Sequence, residues 1–106
     1  MPEKTVLDPR LDLLFVAPAH TKLLAENENI RVLEFTAKAG DKIPLHQHPE
    51  MAVYVLKQGR RRFTALDGEV VESNPCAGCA FLRTGITTHT EEVLEDFQAI
   101  LVEVKT

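Results

Sequence analysis

Three histidines have the types and spacing that a metal site needs. His46 and His48 are two residues apart, so on a β-strand both side chains leave the same face, about 6–7 Å apart along the backbone. Their imidazoles can converge on one ion, about 2.0–2.1 Å from each ligating nitrogen. His89 lies far along the chain, beyond several strand-like runs, where it would close the site from another strand. Three neutral imidazoles leave the full charge on a divalent ion. That makes a stronger Lewis acid toward water or an anionic ligand than a site containing a carboxylate. Imidazole suits zinc, copper, iron and nickel, so the expected cofactor is one divalent ion (Fe, Zn, Ni, Cu or Mn), with no choice made among them. The fourth histidine, His20, reads as a surface residue.

Two other clusters carry weaker signals. Cys76-Ala-Gly-Cys79 has the spacing of a metal or redox pair, but no second pair completes a zinc site and no βαβ setting surrounds it. The expectation is a turn leading into a strand, with both cysteines reduced and no structural disulfide. Arg60-Arg61-Arg62 follows a turn and reads as the solvated face of a hairpin. An arginine of that run turned inward would be the natural partner of an anionic ligand.

The elements that must position these residues are short strands. Runs with strand character cover residues 31–37, 42–46, 52–56, 60–66, 69–72, 79–82, 87–94 and 98–104, separated by turn residues such as Gly40-Asp41 and Asp67-Gly68. Such spacing reads as a sandwich or barrel: all-β, antiparallel, closed or nearly closed. Asp8-Pro9 is the best helix start, with Asp8 capping a short turn. In the last run Ile100, Val102 and Val104 share one face, and Glu103 and Lys105 the other. Leu101 on that second face is the expected subunit contact. Phe63 and Phe81 are expected in the core. A chain of 106 residues holds one domain. Its formal charge of −4 argues against general nucleic-acid binding. No run approaches the ~20 apolar residues of a membrane span, and the charged, proline-containing N-terminus lacks a leader's apolar run. The expected location is the cytoplasm.

On these residues the chain resembles the cupin superfamily, in particular small stand-alone RmlC-like jelly rolls of unassigned function. Gly40, His46-Gln47-His48 and Gly59 match the first cupin motif, G(x)5HxH(x)3,4E(x)6G. Gly78, Gly85 and His89 recover part of the second, G(x)5PxG(x)2H(x)3N. The resemblance implies a single-domain double-stranded β-helix over residues 1–106, with an N-terminal arm and first strand in 1–28 and the barrel core in 29–105. It also implies a homodimer. The motif's glutamate falls on Ala52, Arg83 or Thr84 takes its proline, and Val93 its asparagine. His89 follows Gly85 by four residues instead of three. A one-residue slip turns His89 outward and Thr88 inward, whereas a bulge absorbs the extra residue and restores the ligand.

Cupins with three histidines and no glutamate include iron dioxygenases acting on thiols or β-dicarbonyl compounds. By that resemblance the chain is a metal-binding cupin acting on a small molecule, in the manner of a three-histidine Fe(II) dioxygenase. The alternative is a small-molecule-binding or sensing cupin without turnover. A metal-free isomerase or epimerase is the weakest reading, because the sequence offers no evident histidine–carboxylate pair to move protons. Tyr54 shares the parity of Ala52 and is the candidate catalytic residue, its hydroxyl orienting a substrate from inside the barrel.

Overall fold

Alternating strand runs punctuated by glycine and proline fold, in the computed structural model, into nine strands; the structure describes residues 7–105. They are β1 (Thr21–Glu26), β2 (Ile30–Ala37), β3 (Lys42–His48), β4 (Met51–Lys57), β5 (Arg61–Ala65), β6 (Val70–Ser73), β7 (Ala80–Arg83), β8 (Thr87–Val93) and β9 (Phe97–Val104). All pair antiparallel, in a five-stranded sheet of order β1-β2-β9-β4-β7 and a four-stranded sheet of order β3-β8-β5-β6. This is the expected all-β jelly roll, but the two sheets are not hydrogen-bonded into a closed barrel.

The sheets face each other across Leu33, Phe35, Ile43, Val53, Val55, Val93, Phe97 and Ala99, all buried. Each large side chain of this set contributes roughly 1.5–3 kcal/mol by leaving water. Gly59 closes the corner after β4. A Cβ there would lie 2.1 Å from the Asp96 carbonyl oxygen, which is why the hairpin needs glycine although the backbone is not left-handed.

The first six residues of the expected N-terminal arm lie outside the described residues. Its remainder is ordered by local chemistry. The Asp8 carboxylate accepts from the Arg10 amide at 2.9 Å and caps a 3-10 turn over Pro9–Leu11. A one-turn helix, α1 (Leu13–Val16), follows; the sequence reading contained no second helical turn. Leu13 of α1 is buried, so this segment plugs the space between the sheets.

Strand β9 corrects the sequence reading. Phe97, Ala99, Leu101 and Glu103 face inward, while Ile100, Val102 and Val104 face outward. Leu101 is therefore core, not a subunit contact. The reversal follows from treating Glu103 as a marker of solvent. It is instead fully buried, and Arg31 of β2, its direct cross-strand partner, donates to it at 2.7 Å.

Candidate metal centre

His46 and His48 enter the interior from β3, and His89 from β8, where it sits directly across from His46. All three are buried, and one ligand atom from each lies within 4.8 Å of the others. The rings approach edge to face, with centroids 4.8, 4.8 and 5.3 Å apart. Three of the four histidines thus meet as expected. His20 does not join them: its Nδ1 lies 3.2 Å from the Thr36 carbonyl oxygen, on the surface.

The inward turn of His46 depends on a bulge. Between Ile43 and His46 the pairing with β8 slips by one residue, so Ile43 and His46, three apart, both point inward. Pro44 lies in this bulge, where its missing N–H breaks no ladder bond. Its carbonyl accepts from His46 Nδ1 at 2.7 Å. That bond places the proton on Nδ1 and leaves Nε2 as the free lone pair, the atom that could ligate a metal. The extra residue before His89 needs no bulge in β8, whose alternation is regular, with His89, Glu91 and Val93 inward. The turn before the strand absorbs it, where Gly85 takes a φ of +75° that a side chain would oppose.

The donor set fits a metal. His46 Nε2 and His89 Nε2 are buried without any hydrogen-bond partner among the described residues, and unpaired buried nitrogens are costly unless something ligates them. Burial, reinforced by neighbouring His48, pushes His46 down to about 4, against the opposing bond to Pro44. Burial, with His46 and His48 beside it, pushes His89 down to about 2. Both rings are neutral near pH 7, the form that binds metals. Phe63 stacks on His89 at 4.4 Å and fixes its plane.

A carboxylate that the sequence reading did not place supports this cluster. Glu103 Oε2 faces His48 Nδ1 at 3.6 Å, and neither atom has another partner among the described residues. The other carboxylate oxygen accepts from Arg31, which also bonds Asp12. Burial works against the Arg31 charge, but Asp12 and Glu103 outweigh it and raise its pKa. With Glu103 behind Nδ1, His48 turns Nε2 toward the cluster, the arrangement in which a carboxylate orients a metal-binding imidazole. A histidine–carboxylate pair therefore exists, contrary to the sequence reading. Its acid, however, is bound to Arg31 and lies away from the interior cavity.

Several expected site residues lie elsewhere. Tyr54 is 47% exposed on the outer face of β4, and Ala52 shares that face; Met51, Val53 and Val55 point inward. The bend at Pro49-Glu50 resets the alternation, so parity counted from the motif is off by one. Tyr54 cannot orient a substrate from there. Arg61 is buried, not solvated: it lies 3.5 Å above the Phe97 ring and 3.4 Å from Glu91. Arg62 keeps the expected surface position, paired with Glu72 and Glu92. The sulfurs of Cys76 and Cys79 are bonded, contrary to the expectation of reduced thiols. The turn brings their Cα atoms to 5.4 Å, with the Cys79 amide on the Cys76 carbonyl.

The space beside the cluster is small, about 20 Å³ among His48, His89, Met51, Arg61, Arg83 and Glu91, room for roughly one water or one ion. It adjoins an open cavity of about 530 Å³ lined by His89, Phe63, Phe81, Arg83, Val71 and Leu82, with Glu69 and Glu72 also on its wall, which is the size of a small-molecule site.

No family model matches the chain, and no curated protein matches its sequence. Solved structures are similar in fold. A cupin domain from Bordetella pertussis Tohama I aligns with a TM-score of 0.72 at 20% identity, covering 81% of this chain and 92% of that one. An RmlC-like cupin protein from Desulfovibrio desulfuricans aligns at 0.60 and 24% identity, covering 98% and 96%. A protein of unknown function from Streptococcus pyogenes aligns at 0.58 and 26% identity, covering 81% and 73%.

Proposed function

We propose, from the premise that this chain has the cupin fold, that it holds one divalent transition metal on His46, His48 and His89 and presents it to a small molecule. The observation that carries this reading is the cluster of buried, converging imidazoles, two of whose Nε2 atoms lack any other partner. The bound ion would supply Lewis acidity or, if iron, dioxygen chemistry. The chain's own contribution is to hold the ligand nitrogens neutral, fix the His46 tautomer through Pro44 and seat the small molecule against Phe63 and Phe81.

Purified untagged protein should contain about one equivalent of metal per chain by elemental analysis, lost in a His46→Ala/His48→Ala double variant. Metal-free protein that stays empty after reconstitution with Fe, Zn, Ni, Cu and Mn would refute the reading.

The all-histidine donor set supports an Fe(II) dioxygenase-like activity. Fe(II)-loaded protein should take up oxygen with a member of a thiol and diketone panel. A second reading, ligand binding without turnover, is favoured by the interior lining. Apart from His48 and His89, its titratable groups among the described residues are Arg61, Arg83 and Glu91, with Glu91 held by Arg61. Tight ligand binding without oxygen uptake or product would select it.

The chain is also proposed to pair with a second copy. The outer face of the five-stranded sheet carries Ile30, Val32, Ala52, Tyr54, Ile100, Val102 and Leu82 in neighbouring register, an apolar patch of the kind that marks interfaces. Light scattering should give a dimer mass, and Val102→Lys should shift it to a monomer. A monomeric wild-type chain would remove the proposal.

A further inference from the structure

The interior carries more positive charge than it neutralises. Arg61 on β5 and Arg83 on β7 both reach the interior cavity, and Glu91 is the one carboxylate lining it among the described residues. Glu91 lies 3.4 Å from Arg61. Arg61 also rests on Phe97, and its buried Nε has no partner.

Arg83 is placed differently. Its guanidinium lies 5.4 Å from the Phe63 ring centre and 5.9 Å from that of Phe81. It borders both the interior cavity and the open one, beside His89; Glu69 and Glu72 also line the open cavity, Glu72 paired with Arg62. Among the described residues it forms no ion pair or hydrogen bond with a carboxylate; the ion pairs of its neighbourhood are Arg61–Glu91 and Arg62–Glu72. Burial lowers its pKa, with Glu91 only partly opposing. A half-buried cation without a counter-ion is a poor stabilising device, because desolvation is not repaid. A planar fork of donors at the floor of an open cavity is, however, the group that receives a carboxylate in two parallel bonds.

We infer that Arg83 is the receptor for the carboxylate of the small molecule that this protein binds. The ligand class is a small carboxylic acid with an apolar or aromatic body. The carboxylate would dock on Arg83, and the body would lie along Phe63, Phe81, Val71 and Leu82. The inference deepens the metal-site reading by naming what enters the site. It rests on that reading only for what the ligand meets at His89.

The test uses benzoate and its neutral analogue benzamide, titrated by calorimetry into chelator-treated and metal-loaded protein. Benzoate should bind the wild type at least about tenfold more tightly than benzamide, as expected where a buried charged partner is engaged. Arg83→Gln should bring benzoate down to the benzamide level, Arg83→Lys should fall between, and Arg62→Gln should change nothing. In the absence of ligand, Arg83→Gln should unfold at the same temperature as the wild type or higher, which a structural arginine would not allow. Equal binding of the two probes, no binding of either at millimolar concentration, or benzoate binding that survives Arg83→Gln would overturn the inference. Should Arg83→Gln fail to fold, the wild-type benzoate-to-benzamide ratio and Arg83→Lys decide. A benzoate preference in a protein that takes up no metal would remove the metal reading and leave this one standing.

Discussion

Replacing Glu103 with glutamine should weaken metal binding by about 10–100-fold, the usual consequence of removing a carboxylate that orients a ligating imidazole. The same change should destabilise the metal-free protein by about 3 kcal/mol, the low end of the cost of breaking a buried ion pair. The low end applies because Arg31 retains Asp12, 2.5 Å away. Glu103 is fully buried between two groups of different function, Arg31 on one oxygen and His48 on the other. The two effects separate by measurement. Chelator-competition titration reads the His48 side, and urea unfolding without metal reads the Arg31 side. A fall in stability with unchanged metal affinity would reduce Glu103 to a structural ion pair.

The metal-free protein should lose stability as pH falls below about 6.5. His46 and His89 are held neutral in the fold, down to about 4 and about 2, from an ordinary 6.5. Below 6.5 the unfolded chain takes up protons that the fold refuses, so their contribution is intact above 6.5 and is lost progressively toward pH 4. Each such proton changes stability by about 1.4 kcal/mol per pH unit, so two give a slope of up to about 3 kcal/mol per pH unit. Glu91 acts in the opposite sense. Burial raises its carboxyl pKa, so the fold binds that proton first and regains part of the loss. Bound metal should hold the curve flat further into acid, because the ion occupies the same nitrogens. Urea midpoints at pH 7.5, 6 and 5, with chelator and with metal, would check this; a flat curve in chelator would contradict it.

The fold class was legible in the sequence because short apolar runs between turn signals leave few alternatives. The histidine cluster was legible because two of its members share a strand face and the third lies on a distant strand. Much of what escaped had one physical source: alternation tells which residues share a face, not which face is inside. Ala99 and Leu101 are apolar on one side of β9, and Ile100, Val102 and Val104 on the other, so a single acid tipped the reading the wrong way. Tyr54 failed likewise, because the bend after His48 shifts parity without leaving a mark in composition. Arg61 escaped because a run of three arginines reads as surface. Its burial depends on Phe97 and Glu91, which come from other strands.

The bulge at Pro44 makes pairing, more than length, the quantity this part of the chain must keep. Ile43 anchors the core and His46 begins the cluster at an odd spacing of three, and the bulge absorbs the extra residue so that both face inward. Remove one residue from that interval and the spacing becomes two, which a regular strand keeps on one face. Straighten the bulge at the present length and the two demands conflict. Either Ile43 leaves the core, or His46 and His48 rotate toward solvent together. A one-residue deletion between them should therefore be tolerated where a slip in pairing is not.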